Sequence, residues 1–230
     1  MQTPLHPRLT RLNVRSKLPN GLGARGDEER DPVLYPDRPL HVLLLATGSV
    51  ASVKVPLIAH SLRKFKHVDV HIAASSSALH FFSKQEVESD SGVTVWTDED
   101  EWAGWSEIGD PILHIELRRW ADIVLIAPCS ANTLAKISNG LCDNIVTAVL
   151  RAMPCFVPIM VFPAMNTHMW SHPLTAKHLA ELKDELGYEI HGPIPKMLAC
   201  GDVGLGAMYE WSDIVKLVEE NESKGSVPAF

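Results

Sequence analysis

Four short polar segments of the sequence have the composition of an anion-binding site, and each directly follows an apolar run. Hydroxyl groups and backbone N–H groups at the start of a helix attract anions, because the N-terminus of a helix carries partial positive charge. Each segment alone fits a simple helix N-cap, but four together favour a ligand, and the phosphate of a nucleotide is the natural candidate. The segments are Thr47-Gly48-Ser49, Ser75-Ser76-Ser77, Ser130-Ala131-Asn132-Thr133 and Ala164-Met165-Asn166.

The glycine pattern narrows the kind of phosphate site. The sequence around Gly48 has neither the G-x-G-x-x-G fingerprint of dinucleotide-binding folds nor the G-x-x-x-x-G-K-[ST] pattern of a P-loop. Gly48 still lets the backbone approach a ligand closely, because glycine has no Cβ. The sequence therefore predicts a phosphate site that differs from both of these types.

Other side chains with reactive groups have simpler structural explanations. A histidine inside the apolar run 112–115 fits a core or interface position, and the acidic segment 98–102 is typical of a solvated helix cap. His168 and His172 are four residues apart, but no third ligand is evident, so no metal site is predicted. Three cysteines without a motif around them are expected to be buried, inert small apolar residues. They are Cys129, Cys142 and Cys155.

Apolar runs that alternate with helical patterns determine the predicted architecture. Strands that alternate with helices pair in parallel through right-handed crossovers, so the sequence predicts an open, mostly parallel α/β sheet with helices on both faces. Ligands bind beyond the carboxyl ends of the strands in such a sheet, where the four polar segments lie. The predicted strands are 41–46, 68–74, 123–127, 159–162 and 188–190, and the predicted helices are 50–65, one that starts at 78, one after 133, one after 166 that ends near 186, and 212–220.

Composition and charge limit the class of protein and the partners that it can have. Hydrophobic residues make up 46% of the 230-residue chain and charged residues 21%, which is enough for a sizeable core. The net charge of −7 gives no general reason to bind nucleic acid or an anionic membrane. No apolar run approaches the ~20 residues of a membrane span and the start lacks a secretory pattern, so we expect a cytoplasmic protein with reduced thiols. Residues 39–222 are predicted to form one domain, between a disordered arm at 1–38 and a short flexible tail at 223–230.

Five segments together resemble a known family. The combination of P-x-M-N-x-x-M-W with A-C-G-D-x-G-x-G-x-M is specific, and residues 40–218 are similar to the homo-oligomeric flavin-containing cysteine decarboxylases. The chain resembles in particular the phosphopantothenoylcysteine decarboxylases of coenzyme A biosynthesis. The segments are Thr47–Ala51, Asp110–Leu117, Ser130–Thr133, Pro163–Trp170 and Leu198–Met208.

The resemblance implies a Rossmann-like, flavodoxin-type fold, bound FMN and a homotrimer whose sites lie at subunit contacts. A mixed trimer with paralogous chains is the alternative assembly. Neither nucleic acid nor a membrane is an expected partner. The residues implied at FMN are Gly48, Ser49, Val50, Ser75, Ser76, Ser130, Ala131, Asn132, Thr133 and Ala164. Those implied in catalysis are His114, Asn166 and Cys200, and those implied at the substrate are Asn166, Met197, Leu198, Ala199 and Met208.

The implied reaction is the decarboxylation of 4′-phospho-N-pantothenoylcysteine to 4′-phosphopantetheine. A simple cysteinyl carboxylate has no electron sink, but oxidation of its CH2–SH group to a thioaldehyde provides one, with FMN as the electron acceptor. Loss of carbon dioxide then gives an enethiol, which must be reduced again. By resemblance, His114 assists the first oxidation, the Asn166 amide holds the carboxylate and Cys200 donates the final proton.

Two alternatives share the same fold. One is a regulatory flavoprotein that inhibits a type 1 protein phosphatase, but such chains carry long acidic tails and residues 221–230 contain no acidic run. The other is a decarboxylase of C-terminal peptide cysteines. One position departs from the expected pattern, since Met197 stands where plant relatives carry an arginine. If the arginine normally pairs with a charge, Lys196 is the candidate cation for the substrate, and if only the backbone matters at this position, nothing is lost. The glycines at 201, 204 and 206 are expected to give a flexible flap that closes over the site.

Overall fold

The computed structural model describes residues 38–103, 105–197 and 203–223 of the chain. The predicted arm up to residue 37 and the tail after residue 223 lie outside these ranges. Three predicted site residues also lie outside them, namely Leu198, Ala199 and Cys200. The side chain of Met197 is likewise not described, although its backbone is.

Eight strands occur in the described part of the chain. Five of them cover the runs that the sequence predicts as strands, because long apolar runs are buried on both faces of a parallel sheet. The strands are β1 Leu40–Ala46, β2 Val68–Ala74, β3 Thr94–Trp96, β4 Ile123–Cys129, β5 Ile159–Pro163, β6 Glu189–Ile190, β7 Ile194–Met197 and β8 Val203–Ala207.

The first six strands form one parallel sheet in the order β3-β2-β1-β4-β5-β6. β1 lies in the middle, where it pairs with β2 on one side and with β4 on the other. The chain therefore moves outward in one direction from β1 and in the opposite direction from β4, which makes the gap between them the topological switch point. The open parallel sheet predicted from the sequence is confirmed. β7 and β8 form a separate antiparallel pair on either side of residues 198–202.

Helices cover both faces of the sheet, so the fold has three layers. Leu44 of β1 belongs to one core cluster with Ile58 and Ile214, whereas Leu43 belongs to the opposite cluster with Leu117. No helix in the described ranges is both long and apolar enough to cross a membrane. The helices are α1 Val55–Leu62, α2 Lys84–Ser91, α3 Asp98–Ala103, α4 Leu113–Trp120, α5 Ala131–Ser138, α6 Ile145–Ala152, α7 Thr167–Trp170, α8 Pro173–Ala180 and α9 Trp211–Ser223.

Three predicted helices differ from the structure for local reasons. The helix expected to start at residue 78 is only a 3-10 turn over Ala78–His80, and α2 begins later, at Lys84, where Ser83 caps its first turn. The helix expected at 50–65 begins as a 3-10 turn over Val50–Lys54, and α1 follows with a proline in its first turn. The helix expected up to residue 186 is interrupted before Pro173, because proline has no N–H to continue the hydrogen-bond ladder. The His172 side chain caps the new start by accepting a hydrogen bond from the Leu174 N–H at 3.2 Å.

Arg38 is part of the folded structure, although the sequence places it at the end of the predicted arm. Its guanidinium makes two hydrogen bonds to the Asp122 carboxylate, at 2.6 and 2.8 Å. The Asp122 side chain is only 2% exposed, so this pair is largely shielded from water. A second Asp122 contact, from the His41 N–H at 3.0 Å, joins the pair to β1.

His41 of β1 and His71 of β2 form a buried cluster with Trp96 and Trp120. The His41 ring stacks on Trp120 with ring centres 4.6 Å apart, and the His71 ring meets Trp120 edge-on at 4.3 Å. The Trp96 indole N–H donates to His71 Nδ1 at 3.2 Å, so this nitrogen must be the unprotonated one. Burial lowers the pKa of His71 to about 4. His71 is therefore a neutral structural acceptor.

The protonation of His71 makes stability depend on pH. The unfolded chain takes up a proton at this position near pH 6.5 and the folded chain only near pH 4, so stability is full above pH 6.5 and falls between these values. We expect His71 to account for a loss on the order of 2 kcal/mol at pH 5 relative to pH 7.5. Urea unfolding of wild type and His71→Asn, which keeps an acceptor near the Nδ1 position, measures this loss.

In His71→Asn the fall in unfolding free energy between pH 7.5 and pH 5 should be smaller than in wild type. His60→Asn at an exposed position is the matched control and should keep the wild-type pH dependence. An identical pH dependence in wild type and His71→Asn would contradict the assignment.

Candidate active site

The turns that follow β1 and β4 are joined by one buried hydroxyl. Thr47 Oγ1 donates to the Pro128 carbonyl at 2.7 Å and accepts from the Ser130 N–H at 2.9 Å. Thr47 is only 1% exposed, and its own carbonyl accepts from Ser52 Oγ at 2.7 Å. The two loops on either side of the topological switch point are thus held at a fixed separation.

The N-terminus of α5 lies at this junction. Ser130 is its N-cap, and Ser130 Oγ accepts from the Thr133 N–H at 3.2 Å. The first N–H groups of a helix have no partner within the helix and carry partial positive charge. Asn132 in this first turn is exposed, whereas Ser130 and Thr133 are buried. This end of α5 can receive an anion at the switch point.

The turn after β2 packs against the turn after β1. A Cβ placed on Gly48 would lie 2.5 Å from Ser77 Oγ, so the position has no room for a side chain. Ser75 Oγ and Ser77 Oγ are 3.1 Å apart and share a hydrogen bond, and the Ser75 N–H donates to the Ala46 carbonyl at 3.0 Å. Three of the predicted polar segments therefore lie on one edge of the sheet, and the first of them contacts the other two.

The fourth segment connects this edge to the β7–β8 hairpin. The Ala164 N–H donates to the Cys129 carbonyl at 2.9 Å, and the Met165 N–H donates to the Gly206 carbonyl at 3.0 Å. A Cβ on Gly206 would collide with the Met165 carbonyl, and one on Gly204 would collide with the Thr167 hydroxyl. Close packing, rather than the flexibility expected from the sequence, accounts for these two glycines. β8, which follows residues 198–202 in the chain, is thus attached to the fourth segment.

A cleft of about 330 Å³ opens at this edge. Five residues predicted for FMN or substrate line it, namely Ser49, Val50, Ala164, Asn166 and Met208. The remaining predicted FMN residues, which are Gly48 and those at the turns after β2 and β4, lie on the same edge of the sheet. Sequence reasoning missed other lining residues because they follow no polar turn, and the one lysine it offered for the substrate, Lys196, does line the cleft. The missed residues include Lys54, Tyr209 and Trp211.

The Asn166 amide is oriented by the helix that it caps. Its Oδ1 accepts from the Met169 N–H at 2.8 Å, which uses the acceptor end of the side chain at the start of α7. Asn166 is exposed, and its NH2 group makes no hydrogen bond to any residue that the structure describes. The donor end of the amide is therefore available to a ligand in the cleft.

His114 lies in a different place. It lines a second cleft of about 540 Å³, together with Glu101, Trp102 and Cys142, and none of the residues around this cleft lines the first one. The structure of one chain therefore brings Asn166 to the predicted FMN residues but does not bring His114 to them. Trp102 at the rim is 73% exposed and Trp105 nearby is 47% exposed.

Glu101 shows that the prediction for the acidic segment was wrong at one position. The segment was expected to be a solvated cap, but Glu101 is only 7% exposed and contacts His114 directly. Its neighbours do cap helices, since Asp98 Oδ1 accepts from the Ile145 N–H at 2.7 Å and Asp100 Oδ2 accepts from the Thr97 N–H at 2.8 Å. A run of acidic residues in a sequence does not reveal which side chain faces the protein interior.

The cysteines also differ from one another. Cys129 is buried in β4, and burial raises the pKa of its thiol to about 12, as expected of an inert residue. Cys142 and Cys155 are exposed, so the expectation of buried apolar residues was wrong for them.

A family model described as Flavoprotein matches residues 31–223, which is most of the chain. The chain belongs to the flavoprotein family. This flavoprotein is 51% identical over 186 residues to a probable phosphopantothenoylcysteine decarboxylase of Arabidopsis thaliana, a match that covers 80% of this chain and 90% of the relative. The resemblance predicted from the sequence is confirmed.

Two solved structures share the fold of this flavoprotein. One is a cysteine-to-serine mutant of a PPC decarboxylase complexed with pantothenoylaminoethenethiol, with a TM-score of 0.76, 49% identity and coverage of 81% of this chain and 100% of that chain. The other is the FMN-binding protein AtHal3, with a TM-score of 0.74, 49% identity and coverage of 81% and 98%.

The central role of the Thr47 hydroxyl can be tested by replacing it with a methyl group of the same shape. Thr47→Val leaves the buried Pro128 carbonyl and Ser130 N–H without a partner, so we expect the flavoprotein to lose about 1–3 kcal/mol of unfolding free energy. Urea unfolding measures this loss. Thr47→Ser keeps the hydroxyl and is the matched control, which should lose less than Thr47→Val. Equal stability of Thr47→Val and wild type would contradict the account of the switch point.

Proposed function

We propose that the chain decarboxylates 4′-phospho-N-pantothenoylcysteine to 4′-phosphopantetheine with bound FMN, through a thioaldehyde and an enethiol. The observation that carries the proposal is the Asn166 amide, which offers its NH2 group to the cleft at the carboxyl edge of the sheet. The relatives support the same reading. One is named a probable phosphopantothenoylcysteine decarboxylase, and one solved structure holds pantothenoylaminoethenethiol.

The donors on the sheet edge fit FMN. The hydroxyls of Ser75, Ser76 and Ser130 and the N-terminus of α5 suit a phosphate, and the apolar side chains of Val50 and Ala164 suit a flat ring system. When bound, FMN supplies the electron acceptor that a cysteinyl carboxylate lacks and returns the electrons later, so no other reductant is consumed. The residues proposed to hold it are Gly48, Ser49, Val50, Ser75, Ser76, Ser130, Ala131, Asn132, Thr133 and Ala164.

Asn166 is proposed to hold the substrate carboxylate. A neutral amide donor orients the carboxylate through a hydrogen bond without the permanent neutralisation that a lysine or arginine would give. Since Oδ1 is engaged with the Met169 N–H, the amide cannot rotate to present its oxygen without losing that bond. The cap thus determines which end of the amide faces the substrate.

Cys200 is proposed to donate the proton that completes the reduction of the enethiol. Its own position lies outside the described residues, but β8 behind it is fixed to the Met165 backbone next to Asn166. The relative whose cysteine-to-serine mutant carries pantothenoylaminoethenethiol supports a cysteine in the step after decarboxylation. Met197, Leu198, Ala199 and Met208 are proposed to line the substrate around it.

Lys196 is proposed to supply the cation that Met197 does not. It lines the first cleft from β7, and its Nζ lies 2.6 Å from Oε1 of Glu210, which lies between β8 and α9. Both side chains are more than a third exposed, so this ion pair is weak and can be exchanged for a ligand phosphate.

His114 is proposed to act on a substrate that is bound to the first cleft of another chain. Because His114 and Asn166 open onto different clefts, a single chain does not supply both groups to one ligand. A homotrimer with sites at its subunit contacts would unite them, and a mixed trimer with paralogous chains would do the same. The mass of the protein in solution decides between one chain and three. The cytoplasmic location likewise remains a prediction.

Assay of the purified protein tests the function directly. We expect an oxidised-flavin absorbance band, release of carbon dioxide from phosphopantothenoylcysteine, and formation of phosphopantetheine without added nicotinamide. Cys200→Ser should release carbon dioxide but accumulate the enethiol. A colourless protein that does not take up FMN would refute the proposal. So would a yellow protein that releases no carbon dioxide, which is the result that a purely regulatory flavoprotein predicts.

Asn166→Asp separates substrate binding from folding. An aspartate can still cap α7 through the Met169 N–H, but it loses the NH2 donor and places a negative charge next to the substrate carboxylate. We expect about 100-fold weaker substrate binding with unchanged flavin content and stability. Asn139→Asp adds the same charge at an exposed position and is the control. Wild-type affinity in Asn166→Asp would remove the assignment.

A further inference from the structure

Both oxygens of the Glu101 carboxylate contact His114. Oε1 lies 2.5 Å from His114 Nδ1, and Oε2 accepts from the His114 backbone N–H at 3.1 Å. The Glu101 side chain is 6% exposed and that of His114 is 25% exposed. One buried carboxylate thus holds the imidazole ring and the start of α4 at the same time, and a negative charge is favourable at a helix N-terminus.

These contacts fix the chemistry of the imidazole. An ionised carboxylate has acceptors only, so its partner Nδ1 must carry a proton. In the neutral ring, Nε2 is then the nitrogen with the free lone pair. Nε2 makes no hydrogen bond to the described part of the chain, and the ring lines the second cleft. The basic nitrogen of His114 is therefore the one that a ligand in this cleft can meet.

Glu101 is itself held in place by its helix. The Thr97 N–H and hydroxyl both donate to Asp100 Oδ2 at 2.8 Å, and Lys84 Nζ lies 2.7 Å from the same oxygen. On another side, Asp98 Oδ1 accepts from the Ile145 N–H of α6 at 2.7 Å. α3 is short, but these contacts attach it to α2 and α6. The carboxylate of Glu101 is thus in position before any ligand arrives.

We propose that Glu101 is a positioning residue for the decarboxylation, which holds His114 in the Nδ1–H tautomer with Nε2 directed to the substrate. This inference rests on the proposed function, because it takes His114 to act on the substrate. Glu101 acts through the imidazole and touches neither substrate nor cofactor. It orients the ring as an acidic partner orients the catalytic histidine of hydrolytic enzymes and the metal-binding histidine of metal sites.

A double-mutant cycle tests the proposal. Glu101→Gln keeps an oxygen acceptor but removes the charge and permits the other tautomer. We expect it to slow substrate-dependent bleaching of the flavin absorbance about 10- to 100-fold. In a His114→Asn background the same change should cost less than about threefold, because the ring through which it acts is gone. Glu99→Gln on the exposed side of α3 is the matched control and should keep the wild-type rate.

The tautomer is read independently of activity from the nitrogen resonances of the His114 ring in 15N-labelled holoprotein, which are assigned by their loss in His114→Asn. We expect a protonated Nδ1 in wild type and loss of that state in Glu101→Gln. A protonated Nε2 in wild type would overturn the proposal even if the variant does not fold, and so would losses that simply add in the double mutant. A wild-type protein that never bleaches with substrate would instead overturn the proposed function, while the resonances still decide the Glu101–His114 pair.

Discussion

The hydrogen bonds of the Thr47 hydroxyl are the interaction on which the rest of the site depends. At the switch point the chain leaves β1 and β4 in opposite directions, so their loops would diverge without a link. Thr47 supplies the link through the Pro128 carbonyl and the Ser130 N–H. From there the connection continues outward, because Ala164 is bonded to the end of β4 and Met165 to the hairpin. A chain of short-range contacts thus sets the position of every segment at the sheet edge.

The predicted catalytic residues Asn166 and His114 lie in two separate clefts of the chain. One cleft of the chain presents an amide donor from Asn166 and borders a helix N-terminus that suits a phosphate, and the other presents an imidazole held by a buried carboxylate. Neither cleft alone contains both Asn166 and His114. Trp102 at the second cleft is exposed, and so is Trp105 three residues further along the chain. The proposed trimer would bring the two kinds of cleft together and cover this apolar surface.

The sequence predicts the parts of the site that follow from strand ends. Buried apolar runs define parallel strands, and the carboxyl ends of those strands share one edge, so the four polar segments had to meet there. The role of Glu101 was not predictable, because an inward-facing carboxylate within Asp98–Ala103 has the same sequence signature as a solvated one. The separation of His114 from Asn166 was not predictable either, since it depends on how α3 and α4 pack. Gly204 shows a third limit. A glycine in a sequence is compatible either with a flexible backbone or with a position that has no room for a side chain, and the sequence alone does not distinguish the two.

The central claim is that this edge of the sheet holds a flavin that is reduced and reoxidised within one decarboxylation. Rapid mixing of the oxidised holoprotein with phosphopantothenoylcysteine under anaerobic conditions tests it most directly, with absorbance and carbon dioxide followed together. The account predicts transient bleaching of the flavin band, full recovery without any added oxidant, and one carbon dioxide for each cycle. Release of carbon dioxide with no change in the flavin spectrum would contradict it.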